Sequence, residues 1–204
     1  MFTHIRAASL TLQNVLLKSF QADPDLKTLF GGSSIVSLAT PDGMEAANEI
    51  GLSMWLYRLI RDDQTLNRPA RRIASNLIRR NPLPVRLHYL MTPIVTTAAN
   101  IPVPETEQLI IGRILQTFHD KPLISGSDLA GSYKGAEIEL AVRLETLGLD
   151  ETSRIWEGLA RSYQLSVSYE VSVVAVTSDL APIDVTPVSI IQRQYAVGAP
   201  GGQP

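Results

Sequence analysis

Cysteine is absent from all 204 residues. That excludes a disulfide framework, a thiol nucleophile, and zinc or iron–sulfur sites held by thiolates. Histidine is scarce, with only His4, His88 and His119, and no two stand at the short spacing of a local metal site. Neither sign of charge dominates: the formal net charge is −2, so no global field gathers nucleic acid or anionic lipid. No segment approaches the ~20 apolar residues of a membrane-spanning helix. The opening MFTHIRAASLTLQNVLLKSF is broken by Arg6, Thr11, Gln13 and Asn14 and does not read as a secretory signal. No Asn-x-Ser/Thr sequon and no Gly-x-Ser-x-Gly elbow occurs. The implied class is a protein made and assembled in the cytoplasm, without metal or cofactor, and not an enzyme.

The motifs that come nearest to chemistry fall short of it. Gly126 and Gly131 have the interval of a phosphate loop, but Ser132-Tyr133-Lys134 follows. Without a lysine next to the second glycine, no cation meets the terminal phosphates, and a glycine-rich connection is the plainer reading. His119 falls where a helix ends and complements its dipole. His88 stands beside Arg86 on a strand, a surface or interface position. Glu137 and Glu139 share one face of a strand and read as a solvated or interface edge, not a glycosidase pair.

Hydrophobic periodicity supplies the elements. Ile5, Ala8, Leu12, Val15 and Leu16 share one face of a helix over residues 3–20, which Asp23-Pro24 ends. Ile35 to Leu38 reads as a short strand. Over residues 49–60, Ile50, Leu52, Met54 and Leu56 alternate with Ser53, Trp55 and Tyr57, giving a long strand with an aromatic second face. Val85, Leu87, Tyr89 and Met91 mark a second strand over 84–97, antiparallel to the first. A helix over 105–119 follows, then a strand around Ile138 to Leu144. A helix over 151–161 has Asp150 as N-cap, a strand spans 165–177, and an edge strand spans 188–195. The expected fold is α+β: a single mixed, largely antiparallel sheet of four to five strands with three helices packed mainly on one face. Residues 1–197 form one domain and 198–204 a flexible Gly/Pro tail.

Residues 61–82 interrupt the pattern with six arginines (Arg61, Arg68, Arg71, Arg72, Arg79, Arg80) and two acids (Asp62, Asp63), a local charge of +4 that leaves −6 elsewhere. A connection of this length is functional or mobile more often than filler. Guanidinium forks suit carboxylates and phosphates alike. Protein is favoured as partner, because no aromatic interleaves the arginines to stack bases. A nucleic-acid-binding module using this 61–82 loop is the alternative. Arg68, Arg71, Arg72, Arg79 and Arg80 are therefore candidate interface residues. Trp55 and Tyr57 join them, since such rings anchor interfaces, although either can equally serve an intrachain core.

Several short stretches taken together resemble a known family. They are Pro82-Leu83-Pro84-Val85-Arg86-Leu87-His88-Tyr89-Leu90-Met91-Thr92, preceded by Leu56-Tyr57-Arg58 and Asn67-Arg68-Pro69, and Ile155-Trp156-Glu157-Gly158-Leu159 followed by Leu165-Ser166-Val167-Ser168-Tyr169-Glu170-Val171. With the helix around Leu12 to Leu17, this order is similar to the cap, or tail-terminator, proteins of contractile injection systems, which are phage-tail-like particles. The resemblance runs from about residue 3 to 178. It implies a structural subunit forming a ring, expected to be hexameric, that ends the inner tube and sheath and stops their polymerisation. Its partners would be copies of itself and the tube and sheath proteins, in a particle of a kind that can be released from the cell.

Overall fold

A computed structural model describes residues 2–29, 35–65, 69–95 and 103–186. Helix α1 (His4–Ala22) buries Ala8, Leu12, Leu16 and Phe20 along one stripe, with Ala7, Thr11 and Val15 beside it. Asp23 ends it in an extended conformation. The same Asp23 side chain accepts from the backbone N–H of Asp25 (3.1 Å) and Leu26 (3.2 Å) and so starts α2 (Pro24–Leu29). A residue pair that stops one helix can cap the next. Thr40-Pro41 repeats the device: Thr40 accepts from Gly43 N at 3.2 Å and opens α3 (Pro41–Ala46).

The strands and remaining helices are β1 (Ile35–Ser37), β2 (Gly51–Arg61), β3 (Arg71–Ala74), β4 (Leu77–Arg79), β5 (Leu83–Ile94), α4 (Val103–Asp120), β6 (Leu123–Ser125), β7 (Glu139–Leu144), α5 (Leu149–Gly158), β8 (Val167–Val176) and β9 (Ile183–Asp184). Six strands form one sheet in the order β1-β2-β5-β8-β7-β6, and three form a second in the order β3-β4-β9. The expected antiparallel pairing of the two long strands holds, with Trp55 opposite Leu90 and Met54 opposite Met91. Only β1 runs parallel to its neighbour.

The α+β class therefore stands, and the counts do not. The described residues contain nine strands and five α-helices instead of four to five strands and three helices. The two extra helices are the short ones behind proline caps, where each proline reads most simply as a stop. The extra strands come from the second sheet, whose β3 is exposed at every position and so lacks hydrophobic alternation, and from the three-residue β6. Gly148 precedes α5, its N–H donating to Glu151 at 3.1 Å, so Asp150 lies inside the first turn instead of capping it. The expected 188–195 strand and the 198–204 tail lie outside the described residues.

The core lies between one face of the large sheet and helices α1 and α4. It joins Leu12, Leu16, Leu52, Met54, Leu87, Tyr89, Ile110, Ile114, Leu140 and Val171. Tyr89 is fully buried, and its hydroxyl meets Ser9 Oγ at 2.8 Å, which satisfies the one polar atom that burial would orphan. Burial pushes its phenol up to about 12. The Gly126–Gly131 segment is a strap on α1: Ala130 N–H donates to Thr11 Oγ1 at 3.0 Å, and a Cβ on Gly131 would sit 3.3 Å from Ala7. The opposite face of the sheet is covered in part. Ser53 Oγ donates to Ala39 O at 2.7 Å just before α3, and Met44 and Leu90 are buried there outside the main cluster.

Two substitutions test this architecture. Leu87→Ala should lower stability by ~2–5 kcal/mol in a urea melt, from lost transfer energy and the cavity left behind; a change near zero would place Leu87 outside the core. Gly51 has φ +148°, and a Cβ on it would lie 2.1 Å from Ile35 O. Gly51→Ala should therefore cost ~1–3 kcal/mol by overlap, and an unaffected melting temperature would show that β1 does not dock on β2.

Candidate protein interface

Residues 71–79 are built as a hairpin and not as a mobile connection. Arg71 stands opposite Arg79 and Arg72 opposite Ile78, with the register shifting between Arg72 and Ala74. Strand β9 closes the other side of β4, with Ile183 opposite Ile78. The turn is fixed by Asn76 Nδ2 to Asp184 Oδ1 at 3.1 Å and by Val185 N–H to Asn76 O at 2.7 Å. Like charges directly across a strand pair repel and destabilise it. Among the described residues, no carboxylate pairs with Arg71, Arg72, Arg79 or Arg80. Leu59, Ile73, Leu83 and Ile183 are large apolar side chains exposed around the hairpin and its root. Aliphatics interleaved with arginine have the composition of a protein interface. Arg68 lies outside the described residues.

The root of the hairpin is clamped by buried charge. Asp62, 2 % exposed, directly follows β2 and donates its N–H to Pro84 O at 2.9 Å. Its carboxylate accepts from Thr65 Oγ1 at 2.6 Å and from Arg86 at 2.8 Å. Arg86 also reaches both oxygens of Glu170, at 3.2 and 3.3 Å. The Thr65 hydroxyl, and then Arg86, hold the Asp62 carboxyl below its ordinary value against the opposing effect of burial. The bond to Asp62 in turn raises Arg86.

A second network lies beside it on the same sheet face. His88 is buried, not at the surface as its sequence position suggested, and its Nδ1 lies 2.8 Å from Glu145 Oε1. Ser168 Oγ donates to Glu145 Oε2 at 2.5 Å. Tyr57 Oη stands 3.1 Å from Ser168 Oγ and 3.4 Å from Glu145 Oε2. Burial is the main cause that raises the Tyr57 phenol. This is not a serine–histidine–carboxylate chain: serine and histidine both bond the carboxylate, so no imidazole faces the hydroxyl. One ligand atom each from His88, Glu145 and Glu170 lie within 4.8 Å of one another, a set that could hold a metal ion. The Arg86 guanidinium already occupies Glu170, however, and a dication there would sit against that fixed positive charge.

Trp55 and Tyr57 are half-buried, with ring centroids 6.1 Å apart. Tyr57 makes an edge contact with the His88 ring at 6.2 Å. Both rings thus have an intrachain setting and an open side.

The other end of β5 carries the opposite charge. A cleft of about 230 Å³ is lined by Glu45, Glu49, Glu107, Gln164 and Pro93 to Val95. Glu45 pairs with Arg161, while Glu49 and Glu107 have no ion pair among the described residues. These glutamates come from two distant segments, the end of α3 with its following turn and α4, so no local motif announces them. The pairing of Arg86 with buried Asp62 had one sequence signal, the charged residue on the polar side of the β5 alternation.

Asp62 and Asp128 are both held below the ordinary 3.8. Their contribution to stability is complete above that value and is lost as pH falls through their lower native values. Asp62→Asn should therefore be less stable than wild type at pH 7, and the gap should narrow as urea midpoints are followed from about pH 5 to about pH 2. A gap that is constant across this range would remove Asp62 from the clamp.

No helix of the described residues is long and apolar enough to cross a membrane. Residues 7–190 match the Pvc16 N-terminal domain family. Among solved structures, the chain is similar to the sheath/tube terminator of an extracellular contractile injection system, PVC, in its extended state. The TM-score is 0.54 at 16 % identity, over 91 % of this chain and 63 % of that one. It is similar also to the tube-terminating cap of the anti-feeding prophage, with a TM-score of 0.53 at 16 % identity, over 89 % of this chain and 59 % of that one. The chain thus spans less than two thirds of the length of either. No curated protein matches it. The family match covers most of the sequence and the fold likeness nearly all of it: the chain belongs to the Pvc16 N-terminal domain family and shares the fold of contractile-injection-system terminators and caps.

Proposed function

We propose that this protein is a structural cap subunit of a phage-tail-like contractile injection system. It forms a ring, expected to be hexameric, that ends the inner tube and sheath and stops their polymerisation. The observation that carries this reading is a terminator fold with a strongly basic feature, the Arg71–Arg79 hairpin, that has no counter-ion among the described residues. Unpaired arginines among exposed aliphatics suit an acidic protein surface, to which a guanidinium makes paired hydrogen bonds. Trp55 and Tyr57 would add aromatic anchorage through their open sides. The chemistry is that of a structural protein: beside the hairpin, Asp62, Arg86 and Glu170 are spent on one another. Assembly would take place in the cytoplasm, with tube and sheath proteins as the partners.

The alternative, a nucleic-acid module, rests on the same arginines. The hairpin interleaves them with Ile73, Leu77 and Ile78 and supplies no ring for base stacking. One variant separates the two readings. Replacing Arg71, Arg72, Arg79 and Arg80 together with serine should change stability by less than about 0.5 kcal/mol per site, as exposed substitutions do. Particles assembled with it should show uncapped ends or irregular lengths in electron micrographs. Particles of normal, uniform length would sink the interface role. Salt-sensitive DNA or RNA retention on filters, lost in the variant, would favour the alternative.

A further inference from the structure

The two oppositely charged features of this chain lie at opposite ends of its longest strand. β5 has 12 residues, so at about 3.3 Å each its ends are roughly 40 Å apart. At its first residue, β2 has just ended and β8 is ending opposite, since Leu83 pairs with Val176. The arginine hairpin leaves from this end. At its last residue, Ile94 pairs with Gly51 at the start of β2, and Pro93 to Val95 floor the glutamate-lined cleft.

We propose that the arginine hairpin of one copy docks into the acidic cleft of a second copy. This rests on the reading of the chain as a ring-forming cap. The argument is charge complementarity between two surfaces that cannot meet within one molecule. On one side are Arg71, Arg72, Arg79 and Arg80, with Arg71 and Arg79 held face to face and no counter-ion among the described residues. On the other are Glu49 and Glu107, in a concave site and also without an ion pair among the described residues. An anion placed between Arg71 and Arg79 would turn a repulsive cross-strand pair into a bridged one. Because the two surfaces are different, the contact is head-to-tail, the kind that closes into a ring when the rotation between neighbours is right. Arg86, Asp62 and Glu170 hold the hairpin root in place, so the arm is presented pre-organised, which lowers the cost of docking.

The test is charge reversal in the full chain, read as molar mass by light scattering and sedimentation. Arg71→Glu with Arg79→Glu forms one variant, Glu49→Arg with Glu107→Arg a second, and all four changes together a third. Circular dichroism and thermal melts establish that each is folded, and neutral Glu49→Gln with Glu107→Gln stands in if the second is not. Each singly reversed chain should self-associate at least about tenfold more weakly, because like charges then face each other across the contact. The fourfold chain should recover association, and an equimolar mixture of the two reversed chains should co-assemble. Wild-type association should weaken as salt rises.

Recovery in the fourfold chain and the mixture supports the contact. Wild-type rings with reversed chains that assemble equally well overturn it and leave the cap reading intact. So does a monomeric wild type whose hairpin variant loses binding to purified tube or sheath ends, because the arm then grips those proteins. A wild type that neither self-associates nor binds tube or sheath ends overturns both.

Discussion

Two-sided burial of β5 is the constraint on which the other elements depend. Its backbone is paired by β2 along one edge and β8 along the other. Its Val85, Leu87, Tyr89 and Met91 face α1 and α4, while Leu90 and Thr92 are buried on the reverse side. A buried polar atom on a strand in that position needs a partner within the protein. The Ser9 bond to Tyr89 and the Arg86 and His88 networks meet most of that need, while His88 Nε2 and Thr92 Oγ1 stay buried without a hydrogen-bond partner among the described residues. Arg86 and His88 thus belong to the interior logic of the sheet, although their types suggest chemistry.

Such networks are costly to break and contribute little net stability when complete. What this one provides is position. Asp62 ties the chain leaving β2 to the main sheet through Pro84 and Arg86, and Gln64 adds a bond from Arg86 at 3.3 Å. Arg71 and Arg79 face each other at the open end of the hairpin, near this fixed root and without a counter-ion among the described residues, a combination suited to a docking arm and ill suited to a solvated linker.

Sequence periodicity located the elements that bury an apolar stripe. α1, β2, β5, α4, β7 and β8 were all legible, because Leu12 and Leu16, or Leu87 and Tyr89, repeat at the spacing of their element. What stayed hidden has physical reasons. Asp23-Pro24 and Thr40-Pro41 look like terminators, yet each caps the short helix that follows it. β3 and β4 carry arginines where a strand usually shows alternation, and the pairing of β4 with β9 spans over a hundred residues. Of the interface residues, the arginines were visible as composition, whereas Glu49 and Glu107 become neighbours only through the sheet. The resemblance in residues 82–92 and 155–171 pointed to the terminator family, which the match over residues 7–190 supports.

The pairing of β4 with β9 has a consequence for the order of events during synthesis. The hairpin strands are made first, and Asp184, which with Val185 fixes Asn76 at the turn, follows 108 residues after Asn76. Closing so long a loop is slow relative to local structure. The arm is thus completed last, after β5 and β8 have paired. A chain stalled or cleaved before residue 183 keeps most of the core and lacks a finished arm. If the arm is the docking element proposed above, such a chain would fold its core and still be unable to assemble.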